Sequence, residues 1–287
     1  MARTGGLILS GGRSSRMGYD KFHLRFPGEP LWQRVVNRMQ RVASPVVLSL
    51  AAGGHPPIGL SDQVETVFDH DLERGPLWGL AAGFRALSGR CDQVVVIPVD
   101  VPFFTEEWLQ RLIDGLASGE GKMACLYKWE GYANALTGAY QMDLLPKLEG
   151  MIEAGQSRPM GLIQDEPVEI LEVESLWKPD QEPPPLMDMD TMEDYRKALL
   201  MEGVGNSQGT AITVEIQTHD PSEMVSPPVA MFARNEADVR QALAQLFPVS
   251  PESLLLSFKD GEAVTSEDKL KDGAVLVWKQ TQNVSER

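Results

Sequence analysis

The stretch LILSGGRSSRMGYDK, Leu7 to Lys21, sets two adjacent glycines, Gly11 and Gly12, after a short apolar run and follows them with Arg13, Arg16 and Lys21. Glycines leaving the C-terminal end of a strand let the main chain approach an anion closely and turn free N–H groups toward it. The three cations stand where oxyanions need neutralising. The lysine comes after a third glycine, Gly18, so the Gly-Lys-Ser/Thr register of a P-loop is missing, as is the Gly-x-Gly-x-x-Gly of a dinucleotide fold.

Three further groups of residues carry chemistry. In VVVIPVDVP, Asp100 follows a β-branched run and stands among prolines, where a carboxylate can hold a hard cation over a sheet edge or simply form a turn. In FDHDLERGPLWGL, Asp69 ends a strand, and Gly75-Pro76 opens a helix whose N-terminus can face a ligand or merely begin after a solvated loop. In DMDTMEDYRKAL, Asp190 and Glu193 have capping-box spacing, which leaves Asp188 the less explained by capping. The glycine loop with its cations and the Asp100 group make sense together, because a triphosphate needs both cationic side chains and a metal ion. His23, His55, His70 and His219 lack metal-ligand spacing, and no Gly-x-Ser-x-Gly or Cys/His pairing supplies a nucleophile.

The elements that position these residues follow from periodicity. From Leu7 to about Tyr140, strand-length apolar runs alternate with segments of helical spacing: LILS, then PLWQRVVNRMQRV, PVVLSL, VETVFD, GPLWGLAAGFRAL, DQVVVIPVD and TEEWLQRLIDGLA, with Thr105 as a helix cap. The run DQVVVIPVD has the character of a strand buried on both faces of a parallel sheet. The pattern predicts an α/β domain with right-handed crossovers. After Tyr140 come further helical segments, a strand in VEILEVE, a proline-rich stretch and the helix of MDMDTMEDYRKALL. Residues 203–210 are polar and glycine-rich and are expected to link a domain over 1–202 to a second over 211–287. That second domain reads as strand, helix, strand, strand, with turns at Asp260-Gly261 and Asp272-Gly273, a small α+β unit.

The net charge of −15 argues against a general nucleic-acid binder. No apolar run reaches the ~18 residues that cross a bilayer, and the N-terminal apolar run is too short for a signal peptide, so the expectation is a cytoplasmic protein without membrane or nucleic-acid partners. Cys91 and Cys125 read as buried thiols. Residues 1–41 carry a local charge of +6 against −21 for the remainder, which suggests a small anionic ligand.

In order and spacing, Leu9-Ser10-Gly11-Gly12, Arg16-Met17-Gly18, Asp20-Lys21, Glu29-Pro30-Leu31, Gly75-Pro76-Leu77-Trp78-Gly79 and Asp100-Val101-Pro102 resemble the molybdenum cofactor guanylyltransferases, over roughly residues 5 to 202. The resemblance implies a Rossmann-like, mostly parallel-sheet nucleotidyltransferase domain that joins GMP from GTP to molybdopterin. It further implies that Leu9, Ser10, Gly11 and Gly12 wrap the nucleotide, that Arg16 and Lys21 contact its phosphates as catalytic residues, that Asp69 lies in the base and ribose pocket, and that Asp100 binds Mg2+ and is catalytic. Two departures stand out: Ser49 replaces the Asn common at the end of the second strand, and Asp188 and Asp190, on the expected acceptor side, replace the asparagines of a late motif near the molybdopterin. The aspartates are closer to the related cytidylyltransferases, whereas the double glycine and Gly-Pro-Leu favour guanine.

The segment from about Ala211 to Gln282 is similar to a β-grasp, as in ubiquitin or the sulfur-carrier subunit of molybdopterin synthase, but the chain ends NVSER without the Gly-Gly that carries sulfur. A docking module for a protein partner is the expectation. Three other readings use the same residues: CTP in place of GTP, a sugar phosphate as acceptor, and a non-catalytic chaperone delivering nucleotide or cofactor to a molybdo- or tungstoenzyme.

Overall fold

The computed structural model describes residues 2–10, 21–69, 75–119, 121–217, 227–265 and 268–279. In chain order the strands are β1 (Thr4–Ser10), β2 (Arg25–Phe26), β3 (Glu29–Pro30), β4 (Val46–Leu50), β5 (Val64–Phe68), β6 (Gln93–Pro98), β7 (Ala124–Trp129), β8 (Tyr132–Gln141), β9 (Val168–Glu172), β10 (Thr210–Gln217), β11 (Val229–Ala233), β12 (Leu256–Phe258) and β13 (Ala274–Lys279). The α-helices are α1 (Leu31–Val42), α2 (Pro76–Leu87), α3 (Glu106–Ala117), α4 (Leu145–Glu153), α5 (Val173–Leu176), α6 (Met192–Met201) and α7 (Glu236–Leu246). They form two compact units: residues 2–10 with 32–188, and residues 21–31 with 189–279.

The first unit is built on a seven-stranded sheet of order β5-β4-β1-β6-β8-β7-β9. Strands β5, β4, β1 and β6 are parallel, and β8 pairs antiparallel with both β6 and β7. The alternating pattern anticipated the parallel strands but not the β7–β8 hairpin, whose turn places Glu130 at φ 50° and Gly131 at φ 84°. Such a turn needs left-handed backbone at both central positions, and Glu-Gly is a weak signal for it.

Both faces of the sheet are covered. Val94, Val95, Val96 and Ile97 of β6 are all fully buried, each contributing about 1.5–3 kcal/mol of transfer free energy. On one face α2 and α4 pack over Leu7, Leu9, Val47, Val96 and Tyr140. Helix α2 comes unusually close: Cβ atoms built on Gly79 and Gly83 would lie 3.1 Å from the Ser49 hydroxyl and 2.3 Å from Leu7 Cδ1. On the other face, Gly6 lies against Met39 of α1, and Tyr127 donates to the Trp108 carbonyl of α3 at 2.9 Å.

In the second unit, β2 and β3 form a two-residue ribbon and β10–β13 a four-stranded sheet of order β11-β10-β13-β12. The first and last strands, β10 and β13, run parallel at its centre, and the outer strands are antiparallel to their neighbours. Strand β11 was not apparent from sequence. The chain order is therefore strand, strand, helix α7, strand, strand. Asn235 caps α7 by accepting from the Asp238 N–H at 3.1 Å. The 203–210 stretch, expected to be a linker, is packed: Val204 is buried, the Asn206 N–H donates to the Phe232 carbonyl at 2.8 Å, and Gly209 has no room for a Cβ against Ala233.

Candidate active site at the sheet edge

Parallel strands followed by helices leave their C-terminal ends as the ligand-binding edge of a doubly wound sheet. In the first unit, Leu9 pairs with Ser49 of β4 and Pro98 of β6, and Ser10 pairs with Leu50. The Val99 N–H donates to the Leu9 carbonyl at 2.9 Å and the Asp69 N–H to the Leu50 carbonyl at 2.8 Å. These bonds carry the sheet one residue past its strands. They set Asp69 beyond β5 and Asp100 beyond β6, on either side of the end of β1. Leu9 is buried, whereas Ser10, Asp69 and Asp100 are partly exposed.

Helix α2 begins at the same edge. Its N-cap, Gly75, has φ 87° and ψ 180°, a conformation open essentially to glycine, and Pro76 follows at the first turn. The Gly-Pro pair thus has a backbone reason. Gly75 supplies no capping side chain of its own, and the dipole and N–H groups of such a helix start suit an anion. Beside it, the Ser157 carbonyl lies 3.8 Å from where a Gly75 Cβ would sit. Ser157 also lines an open cleft of about 670 Å³ with Gln156, Arg158, Met160 and Gln164. None of these cleft residues was singled out by motif, because a loop defined by its tertiary neighbours has no spacing signature.

Arg38 also escaped the motif reading as a site element. From α1 it donates to the Pro102 carbonyl at 2.7 Å and the Phe104 carbonyl at 3.2 Å, anchoring the loop that begins at Asp100. Three more of the described early cations are similarly held: Arg3 pairs with Asp92 at 3.0 Å, Arg41 with Glu106 at 2.5 Å, and Arg34 is buried. Much of the positive charge of residues 1–41 therefore serves internal contacts rather than one ligand-facing patch. The only signal for this in the sequence was the helical spacing of Arg34, Arg38 and Arg41, which names no partners.

In the second unit, Lys21 Nζ pairs with Asp190 at 2.6 Å, with side-chain exposures of 14% and 45%. Asp190 is available for this because α6 is capped one residue later than its sequence suggested. Thr191 is the N-cap, its hydroxyl accepting from the Asp194 N–H while Asp194 accepts from the Thr191 N–H. Asp188 is exposed. The Asp190/Glu193 capping box is thus corrected to Thr191/Asp194, since threonine offers a capping oxygen with the extended backbone an N-cap needs. Gly11, Gly12 and Arg16 lie outside the described residues.

The described residues contain no group of three or more His, Cys, Asp or Glu side chains that could hold a metal. The partly exposed carboxylate of Asp100 is of the kind that suits Mg2+, which keeps several waters and is held by one or two carboxylates together with substrate phosphates. No described helix is long and apolar enough to cross a membrane.

A family model of the MobA-like NTP transferase domain matches residues 6–169, from β1 into β9, including Leu9, Ser10, Lys21, Asp69 and Asp100. The molybdenum cofactor guanylyltransferase of Cereibacter sphaeroides is 34% identical over 164 residues, which are 54% of this chain and 78% of that protein. Among solved structures, the molybdopterin-guanine dinucleotide biosynthesis protein A of Archaeoglobus fulgidus is similar with TM-score 0.55 at 22% identity, over 68% of this chain and 97% of its own. A 4-diphosphocytidyl-2C-methyl-D-erythritolsynthase from Anaerococcus prevotii gives TM-score 0.54 at 14% identity, over 69% and 95%. These two structures share the fold. With the family match covering more than half of the sequence and its elements placed along one sheet edge, the chain belongs to the MobA-like NTP transferase family and is a nucleotidyltransferase.

Proposed function

We propose that the chain transfers GMP from GTP to molybdopterin, releasing pyrophosphate, in the cytoplasm. The observation that carries this reading is the sheet edge itself: Ser10, Asp69, Asp100 and the Gly75-Pro76 start of α2 all stand where parallel strands end. The relative in Cereibacter sphaeroides bears the corresponding name.

The nucleophile is the terminal phosphate oxygen of molybdopterin, which attacks the α-phosphate of GTP. It is already an anion, so no protein base has to remove a proton, and the work is positioning and charge neutralisation. Leu9, Ser10, Gly11 and Gly12 wrap the nucleotide, with main-chain N–H groups toward its phosphates. Lys21 and Arg16 neutralise those phosphates, and Asp69 lines the base and ribose pocket. Asp100 would hold Mg2+, which supplies charge neutralisation at the phosphates. In this reading Arg158, which lines the cleft with Ser157, meets the phosphate of an acceptor, and Asp188 and Asp190 serve the acceptor side.

The second unit's sheet supports a β-grasp reading of the C-terminal domain. Its first and last strands are parallel neighbours at the centre, and its helix sits between the second and third strands. A protein partner docks on this domain in the proposed scheme.

The deciding experiment is pyrophosphate release with molybdopterin, Mg2+ and each of GTP, CTP, ATP and UTP separately. Release with GTP is expected. Release with CTP alone would make the enzyme a cytidylyltransferase, and no release with any of them would overturn the acceptor assignment.

A further inference from the structure

The second unit brings together three stretches that are remote in sequence: residues 21–31, which begin with Lys21, helix α6, and the β10–β13 sheet with α7. Two contacts between them converge on Arg25, four residues after the lysine. We propose that the C-terminal module is a positioning element for Lys21, acting through Tyr195 and Phe247. The proposal rests on the reading that Lys21 contacts the phosphates of a nucleoside triphosphate.

Lys21 opens a single helical turn whose end is closed by the Leu24 N–H donating to the Lys21 carbonyl at 3.1 Å. The β2–β3 ribbon follows directly, with Arg25 opposite Pro30 and Phe26 opposite Glu29. The module grips this ribbon at both ends of Arg25. The Tyr195 hydroxyl, on α6, donates to the Arg25 carbonyl at 2.6 Å. The Arg25 guanidinium lies 5.4 Å from the centre of the Phe247 ring, which follows α7. Phe26 adds a tilted ring contact to Tyr195 at 5.9 Å.

Both grips are themselves rooted in the module. Phe247 meets Trp278 of β13 edge-on at 5.0 Å, so the ring under Arg25 is locked to the central strand pair. Helix α6 is held on β11, with Arg196 lying 5.5 Å over the Phe232 ring. The same helix begins beside Asp190, the ion-pair partner of Lys21. Tyr195 is fully buried and its phenol is pushed upward by that burial, so the hydroxyl remains a donor across the working pH range.

The physical consequence concerns binding. A lysine on an unrestrained segment must be ordered when the ligand arrives, and that ordering is subtracted from affinity. Holding the backbone at Arg25 and the ammonium at Asp190 does this in advance. The β10–β13 sheet and α7 lie beyond the 6–169 family match, and through Phe247 they are coupled to the segment that carries Lys21.

The test uses the full chain and compares Phe247→Leu, Phe247→Tyr and Val264→Ala. Leucine keeps apolar bulk but removes the aromatic face, tyrosine keeps that face, and Val264→Ala removes buried methyl groups elsewhere in the module. Direct binding of GTP, CTP, ATP and UTP with Mg2+ is measured alongside steady-state kinetics and thermal melting. For the nucleotide that the wild type binds, Phe247→Leu is expected to raise Kd and KM about three- to tenfold, the range for one partly desolvated cation–π contact. Its kcat should stay within about twofold, as for an interaction made equally in ground and transition states. Phe247→Tyr restores Kd, and Val264→Ala leaves it unchanged despite a lowered melting temperature. Unchanged nucleotide binding in Phe247→Leu, or an equal loss in Val264→Ala, overturns the proposal alone. A wild-type chain that binds none of the four overturns the underlying reading of Lys21 and the proposal with it.

Discussion

Replacing Arg38 with methionine tests how the loop after β6 holds its carboxylate. Arg38 Nη1 donates to the carbonyls of Pro102 and Phe104 at 2.7 and 3.2 Å, and both of those residues are buried. Methionine matches the length and apolar stem but donates nothing, so two carbonyls lose a charged donor. Hydrogen bonds to charged groups contribute about 1.5–3 kcal/mol each. The longer of the two is weaker and Arg38 is only partly buried, which brings the joint loss to about 2–3 kcal/mol. For a unit of this size that lowers the melting temperature by roughly 4–10 °C. The loop carries Asp100 at its start, and a displacement on the order of 1 Å in a reacting group can cost ~100-fold in rate, so kcat should fall by about tenfold to 100-fold. Arg41→Met is the control. Its pair with Glu106 is mostly solvent-exposed, 67% and 38%, and such pairs contribute about 0–1 kcal/mol. Differential scanning calorimetry and pyrophosphate release on both variants decide the matter. If Arg38→Met melts and turns over like Arg41→Met, the loop is held by other contacts and the reasoning fails.

Asp100→Ala should abolish turnover while leaving the melting temperature within about 2 °C, because the residue is partly exposed; near-normal pyrophosphate release would remove the metal assignment. Gly83→Ala sets a gain of about 1 kcal/mol in helix propensity against a Cβ 2.3 Å from the fully buried Leu7, and overpacking of about 1–3 kcal/mol should win. A double-mutant cycle with Leu7→Val would show positive coupling, and a stabilised Gly83→Ala would refute the close approach of α2. Thr137 is buried with a hydroxyl that makes no hydrogen bond among the described residues, so Thr137→Val should stabilise by about 1 kcal/mol in urea titration. Burial pushes the Cys125 thiol up from 9.0 to about 12 and raises Cys91 as well. The unfolded chain then releases those protons first, so stability declines as pH rises from about 9 toward 12, and thiol reagents at pH 8 should label the native protein only at its unfolding rate.

Much of the first unit was legible because its signals are local. The β-branched run of β6, the apolar spacing of α1 and α3, and the Gly-Pro start of α2 each state their structure within a dozen residues. The positions of Asp69 and Asp100 just past strand ends were legible for the same reason, one residue after β5 and two after β6. The β7–β8 hairpin and β11 were missed because their turns and edges depend on pairing partners. Thr105 sits at the start of α3 as expected but makes no side-chain capping bond, whereas Thr191, overlooked as a cap, makes the full reciprocal pair. Both outcomes turn on side-chain rotamers, which spacing does not specify.

By itself the sequence determined the element types, the parallel core and the residue chemistry at the strand ends, because backbone propensity and burial periodicity act over short ranges. Tertiary structure alone decided which partners the described early cations take. Arg38 could have faced a phosphate until its helix was set against the Asp100 loop, and Lys21 became the neighbour of Asp190 only when α6 was capped at Thr191. The physical reason is that a charged side chain is committed by whichever partner the fold brings within about 3 Å, and for Lys21 and Asp190 that distance is closed across 169 positions in the chain.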